Sequence, residues 1–170
     1  MKFLKDYFLP LLMLCGFAAL IFLVVSNPNV PLTKPPPVAP PEGQERVGIK
    51  LQDGRTLAYF VELALTPEEQ GKGLMDREHL ADQSGMLFLF TGDAERNFWM
   101  KNTLIPLDII FIEADGRIHS IYPMATPLDE TLISSNGPVR AVLEVKGGQA
   151  DQYGIQPGDI ILNPFFGNTP

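Results

Sequence analysis

Residues 97–108 place several chemically capable side chains among strongly apolar neighbours. Trp99 and Lys101 occupy alternate positions, so a strand here would put an aromatic ring and an ammonium on one face. Asn102 offers both a donor and an acceptor, and Asp108 offers a carboxylate. An apolar surface with a few oriented polar groups is typical of a small-molecule site, here for a sugar or peptide fragment. We therefore expect ligand contacts to centre on this segment.

Two further charged residues, Arg77 and Glu144, join this candidate ligand-binding set by side-chain type alone. A structural interpretation competes with the functional one. In it, Asp108 bonds only to loop N–H groups, Lys101 pairs with Asp108, and Trp99 is part of the core. The ligand-binding hypothesis fails if the segment is wholly buried with no cavity beside it.

An enzymatic alternative is a hydrolase or lyase that uses Asp108 and Glu144, assisted by Lys101. It requires both carboxylates in one cleft, about 5–10 Å apart for a glycosidase. Placement on opposite faces would exclude it. A third hypothesis is a protein-interaction module in which a partner adds to an exposed strand edge.

Other reaction classes lack their residues. The sequence has no Gly-x-Ser-x-Gly nucleophile motif, no Cys-x-x-Cys and no His-x-x-x-His. The single cysteine, Cys15, lies in the apolar N-terminal run, and His79 and His119 stand apart from each other. We therefore assign no catalytic residue, no metal ligand and no cofactor.

The charge balance argues against a nucleic-acid partner. The whole chain has a net charge of −7, and from residue 44 onward 10 Lys and Arg face 18 Asp and Glu, a net charge of −8. An acidic surface is repelled by phosphate backbones and by anionic lipid headgroups.

Short apolar runs separated by turn signals must position these residues. The predicted strands are residues 46–51, 56–65, 86–90, 98–100, 107–112, 117–122, 139–145 and 160–162. A capping box begins a short helix at Thr66, with a further turn at 75–80, and 149–153 forms a second brief helix. The pattern predicts a mainly β (α+β) domain, a compact sandwich or barrel of about seven or eight short strands with one or two helices. No parallel β–α–β period is visible.

A membrane helix is expected to precede this domain. Residues 7–26 carry no charge, and as a helix they span about 30 Å, the hydrocarbon thickness of a bilayer. Lys2 and Lys5 favour a cytoplasmic N-terminus, which places the rest of the chain outside the cytoplasm. Two alternatives stay open: signal cleavage after Ser26, which gives a secreted domain, and lipidation at Cys15.

Residues 27–43 form a proline-rich linker, with seven prolines among 17 residues. Proline fixes φ and removes N–H donors, so we expect an extended spacer of roughly 50 Å. The chain thus divides into an anchor (1–26), a linker (27–43) and an extracytoplasmic domain (44–170). Its expected partners are the bilayer and a small molecule or envelope component, and its oligomeric state is left open.

The domain also resembles a known family. Four segments carry the likeness: ELALTPEEQGKGLMDREHL (62–80), GMLFLF (85–90), FWMKNTLIPLDIIFIEADGRI (98–118) and VRAVLEVKGGQADQYGIQPGDII (139–161). Together they resemble the DUF192 family over about residues 47–162. The resemblance implies a compact β-rich fold that is often exported, and it supplies no reaction and no catalytic residues. The expected role is a small-ligand-binding or envelope-accessory module tethered to the membrane.

Overall fold

The structure, a computed structural model, describes residues 39–169. The predicted membrane helix at 7–26 and residues 27–38 of the predicted linker lie outside the described residues. Among those described, none of the helices has the length and apolar composition needed to cross a bilayer.

Seven strands and two short helices make up the described domain. The strands are β1 (Glu45–Lys50), β2 (Thr56–Ala64), β3 (Ser84–Phe98), β4 (Leu107–Ile112), β5 (Ile118–Ala125), β6 (Ile133–Lys146) and β7 (Ile160–Leu162). The helices are α1 (Pro67–Lys72) and α2 (Gln149–Tyr153), and a 3-10 turn follows at Pro164–Phe166. The predicted mainly β class with short helices is therefore confirmed.

The strands form one curled sheet, a half-barrel, in the order β5-β4-β6-β3-β2-β1-β7. An isolated antiparallel bridge between Arg117 and Ile160 brings its two outer strands together at one end. β7 has only three residues, and β5 contains Pro123, which has no N–H to donate. Neither outer strand offers the long, regular edge that a partner strand would need, and the edge-pairing hypothesis stays a prediction.

Two predicted strand boundaries are wrong for the same reason. β3 runs unbroken over 15 residues, so the separate strand predicted at 98–100 does not form, and Met100 lies in the following loop. β6 begins at Ile133, well before the predicted start at 139. The late part of β3 and residues 134–138 of β6 are rich in polar residues, glycine and proline, which resemble a loop in the sequence, and register shifts between β3 and β6 accommodate the irregular residues.

The connection between β2 and β3 also differs from the prediction. These strands pair in parallel, and α1 lies between them in the chain, so a β–α–β crossover is present where the sequence showed none. The helix has only six residues, too few to show a helical apolar period. The predicted capping box is confirmed, because Thr66 Oγ1 accepts from the Glu69 N–H and the Glu69 carboxylate accepts from the Thr66 N–H. The turn predicted at 75–80 is not helical.

The sheet buries apolar side chains on both faces. The first core includes Leu87, Ile110 and Leu143. The second core contains their chain neighbours Phe88, Ile109 and Val142. Because side chains alternate along a strand, this split assigns the residues of β4 and of the regular parts of β3 and β6 to one face or the other. The candidate site lies on the second-core face.

Candidate functional site

A cavity of about 520 Å³ adjoins the second core. One wall is residues 70–75, the end of α1 and the turn after it, and the opposite wall comes from β3. Its aromatic lining consists of Phe88, Phe90, Phe98 and Trp99. The charged lining consists of Lys72, Glu95, Arg96 and Glu144.

The aromatic wall is held by edge-to-face packing. The Phe88 and Phe98 ring centroids lie 5.1 Å apart, and Phe98 packs in the same way on the buried Phe111 at 6.0 Å. Trp99 follows directly after β3 and is 42% exposed, so it lies at the opening of the cavity. Lys101 Nζ lies 5.2 Å from the centre of the Trp99 ring, within cation–π range.

Glu144 places a carboxyl group on the second-core side of the sheet. Its cross-strand neighbours are Met86 on β3 and Ile109 on β4, both buried and apolar. Glu144 is 5% exposed, and its carboxyl accepts none of the side-chain hydrogen bonds found within residues 39–169. Burial raises the pKa of Glu144 to about 8. The group is therefore mostly protonated at neutral pH.

A glycine lets the chain close over this carboxyl. Gly73 ends α1 with φ of 50° and ψ of −134°, in the positive-φ region that side chains disfavour. A Cβ at this position would lie 3.2 Å from Phe88 Cζ and 3.7 Å from Glu144 Oε2. The turn after α1 can therefore form the cavity wall only because residue 73 has no side chain.

Arg96 supplies a fixed positive charge to the cavity lining. Its guanidinium lies 4.0 Å from the Phe90 ring centre, and Nη2 donates to the Gly92 carbonyl at 2.8 Å. The backbone N–H of Arg96 donates to Ser135 Oγ at 3.0 Å. Arg96 Nε is buried and has no hydrogen-bond partner among residues 39–169. The sequence offered no reason to select Arg96, because its place in the cavity lining depends on the course of β3.

Asp108 has a different role from the one the ligand hypothesis gave it. The side chain is fully buried and accepts hydrogen bonds from three backbone N–H groups: Met124 at 2.8 Å, Gly148 at 2.9 Å and Ala150 at 2.7 Å. Both carboxylate oxygens are thus used to fix the loop before α2 and the end of β5. This is the structural interpretation that competed with ligand binding.

The two carboxyl groups of the enzymatic hypothesis lie on opposite faces of the sheet. Asp108 pairs with Val145, a residue of the first core, while Glu144 pairs with Ile109 of the second core. Residues in register share a face, so the two side chains point away from each other. The single cleft that a two-carboxylate hydrolase or lyase needs is not formed by this pair.

Arg77, Lys101 and Asn102 do not line the cavity. Arg77 makes a two-pronged ion pair with Glu62, with both N–O distances 2.6 Å, and this bonding raises the pKa of Arg77. Asn102 occupies the turn after Trp99 with φ of 53°. Of the six predicted ligand-binding residues, the structure brings Trp99 and Glu144 to the cavity, with Lys101 beside the tryptophan.

Comparison with known proteins gives a family and no activity. The family model DUF192, described as "Uncharacterized ACR", matches residues 49–162. A Sinorhizobium meliloti protein described as a candidate transcription regulator is 41% identical, with a TM-score of 0.71 over 72% of this chain and 95% of that one. A Novosphingobium aromaticivorans protein of unknown function is 44% identical, with a TM-score of 0.67 over 73% of this chain and 89% of that one. No curated protein matches the chain.

Proposed function

The chain belongs to the DUF192 family, whose description names no activity, and we propose that it is a small-ligand-binding module tethered to a membrane. One observation carries the binding role: a cavity of about 520 Å³ has a buried carboxyl group, Glu144, without a hydrogen-bond partner in its wall. A ligand in the cavity can give this carboxyl the hydrogen bond that no group among residues 39–169 gives it.

The composition of the cavity supports this proposal. Small-molecule sites are commonly about 300–1,000 Å³, mostly apolar, with a few polar groups that orient the ligand. This cavity lies in that size range, with polar and apolar groups sharing the lining about equally. The apolar part consists of the four aromatic rings with Leu74, Met75 and Leu132, and the charged groups are Lys72, Glu95, Arg96 and Glu144.

The membrane part of the proposal rests on the sequence. The uncharged run at 7–26 is long enough for one membrane pass, and Lys2 and Lys5 precede it. The proline-rich linker that follows would hold the domain clear of the lipid headgroups, outside the cytoplasm. The acidic domain, with its net charge of −8 from residue 44 onward, would not itself adhere to anionic lipids.

The negative charge of the domain also argues against a DNA-binding role for this chain, although the Sinorhizobium meliloti protein is described as a transcription regulator. A transcription regulator that binds DNA needs a basic surface for the phosphates. The domain has 10 Lys and Arg against 18 Asp and Glu. A small ligand is the better partner for it.

A thermal-shift screen tests the binding role. The full chain, solubilised in detergent, is melted with sugars, amino acids and peptidoglycan fragments while circular dichroism is recorded. A ligand raises the melting temperature by mass action, and Trp99→Ala should abolish that shift. Phe165→Ala is the matched control, because Phe165 is an aromatic residue of similar exposure, 40%, that does not line the cavity. The proposal is wrong if no compound shifts the wild type, or if Trp99→Ala responds as the wild type does.

A further inference from the structure

We propose that the cavity binds a small zwitterion whose ammonium group pairs with Glu144 and whose carboxylate is held by Arg96. This inference rests on the proposed ligand-binding function and specifies its ligand class: amino acids and related amino-carboxylates. Three features of the cavity support it: its acidic group, its basic groups and its aromatic wall.

The carboxyl group of Glu144 favours a ligand with a cationic group. Met86 and Ile109, the cross-strand neighbours of Glu144, provide no donor and no charge. A neutral ligand can supply only hydrogen bonds to the carboxyl, whereas an ammonium supplies both charge-assisted hydrogen bonds and the countercharge that a buried carboxylate lacks. The rings of Phe88, Phe98 and Trp99 line the same space and present faces or edges to the ligand. Ring faces attract cations.

The basic side chains of Arg96 and Lys72 favour an anionic group in the same cavity. Arg96 lies over Phe90, lines the cavity and forms none of the ion pairs found within residues 39–169. Lys72 also lines the cavity and forms none of the ion pairs found within residues 39–169. The remaining charged residue of the lining, Glu95, is exposed and accepts a hydrogen bond from Ser134.

A ligand with one charge would leave part of this cavity unmatched. A plain amine would be repelled by Arg96 and Lys72, and a plain carboxylate would gain nothing from Glu144 while that group is protonated and would be repelled once it ionises. A zwitterion matches both ends, and its apolar part can lie against the aromatic wall. Both charges are then paired, which reduces the cost of bringing each into a partly buried site.

Binding should release a proton. In the empty cavity Glu144 is mostly protonated at neutral pH, because burial raises its pKa to about 8. When the ammonium binds, the Glu144 O–H bond breaks, the proton leaves to solvent, and the resulting carboxylate pairs with the ligand cation. The other charged groups of the cavity lining are Lys72, Glu95 and Arg96, and the cross-strand neighbours of Glu144 do not titrate.

A chain-length series of ω-amino acids tests the ligand class. Isothermal titration of the full chain in detergent uses glycine, β-alanine, 4-aminobutyrate, 5-aminopentanoate and 6-aminohexanoate as probes. The alkylamine and the alkanoate of each length are the one-charge controls. One length should bind best and exceed both controls by at least about tenfold, which corresponds to about 1.4 kcal/mol. Equal binding of the amino acid and its alkylamine would overturn the inference.

Two substitutions assign the ends of the ligand. Glu144→Gln keeps the side-chain shape and should weaken the best amino acid at least about tenfold while leaving the alkanoate unchanged. Arg96→Met should weaken the amino acid and leave the alkylamine unchanged. Arg140→Met is the matched control, because Arg140 pairs with Asp93 and does not line the cavity. An amino acid that binds both cavity variants as tightly as the wild type contradicts the assignment.

Proton release supplies a readout that needs no variant. Titrations in two buffers of different ionisation enthalpy should show close to one proton released per ligand at about pH 6–7. The affinity should rise about tenfold per pH unit below pH 8 and level off above it. A pH-independent affinity would overturn the pairing with Glu144.

The two proposals can fail separately. If sugars or other neutral compounds stabilise the chain through Trp99 while no amino acid binds, the zwitterion inference is wrong and the ligand-binding function stands. If no compound of either kind binds, both are wrong.

Discussion

At the scale of single residues, two neighbouring strands carry two buried carboxyl groups with opposite roles. Asp108 on β4 accepts three backbone N–H groups on the first-core side, so its bonding capacity is used within the fold. Glu144 on β6 receives no such bonds and adjoins the cavity on the second-core side. The different surroundings make the first group structural and the second available to a ligand.

The sequence indicated Trp99 from its place in the 97–108 segment and Glu144 from side-chain type alone, and both line the cavity. It gave no means of separating Glu144 from Asp108, because the face of each residue depends on strand register. Arg96 was missed because it lies in a polar stretch that resembled a loop, and only the long β3 strand brings it to the cavity.

Substitution of Asp108 should damage stability rather than ligand binding. Asp108→Asn replaces a charged acceptor with an amide, so at least one of the three buried N–H groups loses its partner. We expect a loss of at least about 2 kcal/mol in the free energy of unfolding, measured by urea titration. Asp76→Asn, at an exposed position, is the control and should stay within about 0.5 kcal/mol. A small effect at position 108 would contradict the structural role.

Glu144→Gln should make stability less dependent on pH. Burial raises the pKa of Glu144 from its ordinary value of 4.5 to about 8, so the folded chain retains a proton that the unfolded chain loses. The stability from this group is fully present below pH 4.5 and is lost as the pH rises through 8, by about 1.4 kcal/mol per pH unit between them. As the pH rises through about 5, 7 and 9, the urea midpoint of the wild type should fall relative to that of the variant. Parallel profiles would show that the carboxyl titrates normally.

At the scale of elements, the cavity exists because a short helix crosses from β2 to β3 and ends in a tight turn. The capping box at Thr66 was visible in the sequence, since its residue types and spacing suffice to define it. The parallel pairing of β2 with β3 was not visible, because a six-residue helix leaves no period to detect. The strand extents were misjudged where the late part of β3 and residues 134–138 of β6 carry polar residues, glycine and proline, which are typical of a loop.

Alanine substitutions at two glycines of this segment should change the free energy of unfolding in opposite directions. Gly73→Ala puts a Cβ 3.2 Å from Phe88 Cζ at a residue with φ of 50°. We expect it to lower the free energy of unfolding by about 1–2 kcal/mol and to weaken any cavity ligand. At Gly71, within the helix, a Cβ meets no atom within 4 Å, so Gly71→Ala should stabilise by about 0.5–1 kcal/mol. Unfolding midpoints that shift in the same direction for both variants, relative to the wild type, would contradict this account of the turn.

At the scale of the whole molecule, the proposal joins a membrane anchor, a linker and an acidic domain. The family was recognisable because four segments of the domain resemble it, and the mainly β fold because short apolar runs alternate with turn signals over the whole domain. The proposed compartment rests on the predicted anchor at 7–26 and the lysines before it. The ligand depends on the cavity alone.

A reporter fusion tests the compartment. Alkaline phosphatase, which is active only outside the cytoplasm, is fused after Gly43, and we expect an active, membrane-bound product. Deletion of residues 7–26 is the control and should leave the reporter inactive and soluble. An inactive fusion with the intact anchor would place the domain in the cytoplasm.

The most direct test of the binding site uses Trp99, the single tryptophan of the chain, at the opening of the cavity. The full chain in detergent is titrated with the ω-amino acid that binds best, and tryptophan emission is recorded for the wild type and Glu144→Gln. A saturable change in the wild type that weakens at least about tenfold in the variant is the predicted result. Emission that stays constant in the wild type, or that changes equally in the variant, would contradict a ligand site built on Glu144.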